Sequence, residues 1–143
     1  LWGEAAYAAV EDKTEGIIVV DGIMLGVGVF GSLSQPIKWV IRDGRAVDIS
    51  GGAEAERLRS VVAGSDGNAN VVAEFAVGTS LKSPTGSASE KGRLGTAHFA
   101  LGDNAHCYPG GQSHSALHLD GCLRNISLEA EGRVLIKDGA LVI

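Results

Sequence analysis

Hydrophobic positions along this chain recur mainly with a period of two, and Asp-Gly or Gly-Gly pairs punctuate them. Such alternation marks half-buried strands, because successive side chains of a strand point to opposite faces. The β-branched run 16–20 closes at Asp21-Gly22, and residues 23–30 continue it with Gly26 and Gly28, which suggests a bent or closely approached strand. Pro36 opens a run over 37–42, and Asp43-Gly44 turns it into 45–49, a strong hairpin pattern. Residues 71–79, 96–101 and 116–120 read as further strands, and 122–128 continues β-like. Residues 132–143 repeat the hairpin pattern around Asp138-Gly139.

One segment changes period. Over 53–63, Ala55, Leu58, Val61 and Val62 fall on one helical stripe with charges opposite, and Gly64 follows as a cap. Residues 81–91, with Pro84 and Gly86, form a polar loop that we expect to be the most mobile element. The sum predicts an α+β domain of predominantly antiparallel β hairpins with one main helix near 53–63. A run of hairpins needs a covered or closed sheet, so a barrel-like arrangement is among the expected outcomes.

Composition narrows this picture. A chain of 143 residues at 45% hydrophobic content supports one domain, 1–143, with a real core. The net charge of -5 argues against nucleic acid or an anionic membrane surface as partner. No apolar run approaches the ~20 residues of a membrane span. Cys107 and Cys122 lack zinc-finger or CxxC spacing and read as reduced thiols of a cytoplasmic protein. The chain opens at Leu1 in mid-pattern without Met, as the back part of a longer protein would.

The chemistry gathers in residues 95–120, which hold all four histidines. His118 and Asp120 are two apart on a strand and so share a face. If the strand bearing His98 lies nearby, the three form a two-histidine, one-carboxylate set suited to a divalent transition metal. Cys122 joins that face if the strand continues. His106 and His114 flank a turn-rich loop and read as solvated. Glu74 lies among apolar residues, where a carboxylate is costly unless paired, metal-bound or turned to water at an edge. Spacing leaves those options open, and it reads Glu4 as a solvated residue near the start.

A wider order of motifs is also present. It runs Gly3-Glu4, a strand closing in Asp21-Gly22, then Gly51-Gly52-x-x-Ala55 and Ala73-Glu74-Phe75-x-x-Gly78-Thr79. Gly95-Thr96-x-His98-x-Ala100-Leu101-Gly102, Gly110-Gly111-x-x-x-Ser115-x-x-His118-x-Asp120 and Asp138-Gly139 complete it. This order resembles the aminopeptidase T metallopeptidases, also labelled thermophilic or leucyl aminopeptidases. The same pattern is similar to 2,5-dihydroxypyridine 5,6-dioxygenase, a ring-cleaving non-haem iron enzyme. The match spans nearly the whole chain but only the metal-bearing C-terminal part of those proteins; their N-terminal domain has no counterpart here.

The resemblance implies metal ligands at Glu4, Glu74, His98, His118 and Asp120, with His106, Tyr108 and Ser115 around them. In the peptidase branch such a set holds two divalent ions (zinc, cobalt or manganese), which clamp a nucleophilic water and the scissile carbonyl. That gives the leading expectation, a metal-dependent aminopeptidase-like hydrolase that releases N-terminal amino acids. The alternatives are a mononuclear Fe(II) ring-cleaving dioxygenase and a degenerate metal-binding domain without catalysis. A small peptide or small-molecule substrate and a homodimer or larger homo-oligomer are the expected partners. Two departures stand against the peptidase pattern. Ala105 occupies the place of a family tyrosine, with Tyr108 three residues on, and the proline expected after Glu4 is missing. Neither touches His98, His118 or Asp120, the facial set of a mononuclear iron oxygenase.

Overall fold

The structure is a computed structural model and describes residues 3–26 and 31–142. The expected strand continuation over 27–30 lies outside the described residues, as do Leu1, Trp2 and Ile143. In chain order the elements are β1 (Glu4–Ala8), β2 (Gly16–Val20), β3 (Ile23–Leu25), β4 (Gly31–Ser32), β5 (Ile37–Arg42) and β6 (Arg45–Ser50). Helix α1 (Ala53–Ala63) follows, then β7 (Val72–Gly78), a short 3-10 turn (Ala88–Gly92), β8 (Ala97–Gly102) and β9 (His118–Leu123). Strands β10 (Leu128–Ala130), β11 (Arg133–Lys137) and β12 (Ala140–Leu141) close the chain.

Among the described residues the strands form three antiparallel sheets, ordered β1-β7-β8-β9-β3-β4, β2-β5-β6 and β10-β11-β12. This is the α+β architecture that the periodicity predicts, with the helix where the 3.6-residue stripe lies. The large sheet does not close on itself among the described residues, so the barrel-like option gives way to stacked open sheets. Both predicted Asp-Gly hairpins form. Asp43 and Gly44 have φ of 47° and 70°, and Asp138 and Gly139 have 48° and 79°. Positive φ at both central residues belongs to the turn whose twist matches the flanking strands. Asp21-Gly22 works differently, because β2 and β3 lie in different sheets and the chain crosses between layers there.

The core lies between the six-stranded sheet and the β2-β5-β6 sheet. Along β5, Ile37, Trp39 and Ile41 are buried while Lys38 and Arg42 point outward. Trp39 presses against Gly121 of β9: a Cβ at that glycine would stand 2.8 Å from the indole Cη2. Leu119 of β9 and Leu58 and Ala55 of α1 join the same cluster. Each large buried side chain contributes about 1.5–3 kcal/mol, against about 1 kcal/mol net for one hydrogen bond. This packing therefore fixes which face of β9 turns inward. Since side chains alternate, His118, Asp120 and Cys122 must face the opposite way.

Candidate metal centre

The sheet face turned away from Trp39 carries the polar residues. Cross-strand register sets Asp120, Ala100, Glu74 and Ala8 in one row across β9, β8, β7 and β1. The adjoining row is Cys122, His98, Ala76 and Ala6. His118 sits opposite Gly102, and Glu4 opposite Gly78. The alanines matter: strands lie ~4.8 Å apart, and the methyl of Ala100 leaves room for Glu74 and Asp120 to lean together over it. A register shift between Val72 and Glu74 interrupts β7 just before the carboxylate, as bulges beside sites often do.

Three donor atoms converge there. Nε2 of His118 lies 3.0 Å from Oε2 of Glu74 and 3.1 Å from Oδ1 of Asp120. Both oxygens are buried and have no hydrogen-bond partner. Glu74 and Asp120 are thus carboxylates taken out of water with one lone-pair direction unused. The other oxygen of Glu74 lies 2.9 Å from Nε2 of His98, whose own Nδ1 is buried and unpartnered. The remaining oxygen of Asp120 accepts from Nζ of Lys91 at 2.8 Å. The His118 ring is oriented from behind, with Nδ1 2.8 Å from the main-chain oxygen of Asp103.

The charges are mutually set. Burial opposes ionisation of Glu74, but its contacts with His118, then His98 and Tyr108, outweigh this and hold it well below the usual carboxylate range. Asp120 is likewise buried and likewise lowered, by His118 and Lys91. Contacts with Asp120 and then Glu74 push His118 up to about 11 despite its burial. Burial and then the neighbouring Glu74 carboxylate keep the Tyr108 phenol protonated far above its ordinary range. Glu74, His118 and Asp120 form a group whose ligand atoms all lie within 4.8 Å of one another. Ligands bound to one ion at ~2.0–2.2 Å stand about 3 Å apart when cis, so the observed spacings match a single divalent ion. The nitrogen and oxygen donors suit iron, manganese or zinc.

The expected residues separate into groups. Glu74, His98, His118 and Asp120 come together, and Glu74 is the hub, not a bystander on an edge strand. Glu4 shares the sheet face but stands outside the compact group, in the wall of an adjoining cleft of about 380 Å³ that Leu25, Ser83 and Lys91 also line. Tyr108 does reach the site. The N–H of Tyr108 donates to the carbonyl of Asn104 at 2.9 Å, an α-turn, so three residues along the chain become one turn back toward Ala105. Ser115 instead donates to Asp66 at 2.9 Å, and His106 pairs with Asp103.

Two residues escaped the sequence reading. Lys91 falls in the polar loop 81–91 that is expected to be mobile, yet the end of that loop is anchored, because Glu90 is fully buried against Arg124. The Ser87-x-x-Glu90 pattern, a helix-start signature, was the available signal, and Ser87 does cap the 3-10 turn. Asp103 had no signal in spacing, since its role depends on where loop 103–117 folds.

No protein-family model and no curated protein matches the chain. Among solved structures, 2,5-dihydroxypyridine dioxygenase from Pseudomonas putida KT2440 has the same fold, with a TM-score of 0.81 at 23% sequence identity. The alignment covers 96% of this chain and 42% of that one, so the chain spans less than half of the dioxygenase's length. This corrects the leading expectation: the structural likeness is to a dioxygenase and lends nothing to an aminopeptidase or hydrolase. No helix among the described residues is long and apolar enough to cross a membrane.

Proposed function

We propose that this face carries a mononuclear non-haem iron centre for oxidative cleavage of a small dihydroxylated aromatic ring. The observation that carries this reading is the triangle of Glu74 Oε2, His118 Nε2 and Asp120 Oδ1, with both oxygens buried and without a hydrogen bond. One triangle accommodates one ion, and Glu4 stands outside it. The shared fold with a dioxygenase supports the choice of chemistry. His118, Asp120 and Glu74 would hold the ion, joined by His98 when its ring turns from Glu74. Iron bound there would supply the redox chemistry that makes dioxygen reactive.

The chain's own groups do the positioning. Lys91 occupies one oxygen of Asp120 and leaves the other for the ion. The Asp103 carbonyl holds the His118 ring with Nε2 inward. The cleft beside Lys91 has room for a single ring, with Glu4 to take the proton of a ring hydroxyl and Lys91 to attract the anion that results. Protein loaded with Fe(II) under anaerobic conditions should hold about one iron that His118→Ala removes, and it should consume oxygen when given a dihydroxylated pyridine or benzene. Loss of two ions in His118→Ala, or iron retained at this face with no oxygen uptake on any such ring, would sink the reading.

A further inference from the structure

A second donor group lies on the outer side of loop 103–117 and is independent of the function proposed above. Asp103, His106 and His114 place one ligand atom each within 4.8 Å of the others. Nδ1 of His106 stands 2.8 Å from Oδ1 of Asp103, about half an ångström short of the ~3.3 Å between tetrahedral ligands on zinc, a gap that a small turn of the exposed ring closes. The rings of His106 and His114 meet edge to face with centroids 5.3 Å apart.

The scaffold beneath them is built. Asp103 is buried, and its carboxylate accepts from the main-chain N–H of His106 at 3.0 Å and of Ser115 at 3.2 Å. Asn104 and Ser113 bond reciprocally across the loop, N–H of Asn104 to the Ser113 carbonyl and N–H of Ser113 to the Asn104 side chain. The N–H of Asp103 donates to Leu117 at 2.7 Å, so both ends of the loop are pinned. The His106 side chain is 74% exposed, which leaves the rest of a coordination shell to water.

We infer that Asp103, His106 and His114 form a second, solvent-facing site for a divalent transition ion of the class that prefers imidazole, such as zinc. An ion there cross-links the loop to the residue whose carbonyl orients His118.

The test separates the two sites by removing the inner one. In His118→Ala, zinc titrated into the protein should still bind at about one equivalent and raise the melting temperature, as a ligand of the folded state does. Adding His106→Ala and His114→Ala should abolish both effects, with circular dichroism unchanged because both side chains are exposed. Failure of His118→Ala to bind zinc would overturn the inference. So would undiminished binding after loss of both outer imidazoles.

Discussion

Nε2 of His118 lies 3.0 Å from Oε2 of Glu74, yet that oxygen has no hydrogen bond. The same nitrogen stands 3.1 Å from Oδ1 of Asp120, which also has none. The Nε2–H is not aimed well enough at either oxygen to make a hydrogen bond, so attraction between charges gathers these atoms more than directed bonding does. Buried carboxylate oxygens left without a directed bond are costly. A divalent ion that replaces the His118 proton would bind all three atoms at once.

Glu74→Gln therefore should lower divalent-ion affinity by roughly tenfold or more, because it removes a charge at the hub. Glu4→Gln, outside the group, should change it by less than about threefold. Isothermal titration of both variants against wild type checks this. Equal losses would restore a five-residue ligand set.

The His118 proton gives a pH dependence. Its pKa in the metal-free protein is raised to about 11, so it stabilises that state fully below the unfolded value of ~6.5 and ceases to do so as pH rises through about 11. An ion must displace this proton, whereas Glu74 and Asp120 are already ionised. Affinity should therefore fall as pH drops, by roughly tenfold per unit, with about one proton released per ion near neutral pH. Titration in weakly buffered solution measures the release. No release would remove His118 from the ligand set.

What the sequence could convey followed from how local each feature is. The Asp43-Gly44 hairpin, the helix stripe through Ala55 and Leu58, and the shared face of His118 and Asp120 depend on neighbours within a few residues. Glu74 remained ambiguous because its burial depends on β1 and β8 flanking β7. Lys91 and Asp103 were invisible as site residues because turns in irregular segments deliver them. Tyr108 looked displaced because linear spacing does not register a helical turn.

Gly121 follows Asp120 on β9 and faces the core, and its missing side chain lets Trp39 approach. A methyl there would also meet the side chain of Val20, so the sheets must part or shift. Gly121→Ala should cost about 1–3 kcal/mol in urea unfolding, and a neutral result would mean that the sheet contact is looser than described.

The two thiols should react very differently. Cys107 is exposed, whereas burial and then the charge of Glu90 push Cys122 up to about 12. In the native protein an alkylating reagent near pH 8 should modify Cys107 and leave Cys122 until denaturant is added, since the thiolate is the reactive form. Peptide mass mapping reads out the sites, and prompt labelling of Cys122 would contradict its burial.

Lys91 offers the sharpest distinction between orienting a ligand and tuning charge. Its ammonium bonds Asp120 at 2.8 Å and, net of its burial, its pKa is raised by Asp120, Glu4 and Glu74. Lys91→Met removes a positive charge a few ångströms from the ion's position, which favours the ion, and frees one carboxylate oxygen, which disfavours order. If charge dominates, divalent affinity should rise on the order of tenfold, while affinity for an anionic ring substrate falls. Lys91→Arg keeps the charge and should leave metal affinity near wild type. Weaker metal binding in Lys91→Met, restored in Lys91→Arg, would instead make Lys91 a positioning residue for Asp120. Measuring ion affinity and substrate KM in both variants separates these outcomes, because orientation alone predicts that metal and substrate binding weaken together.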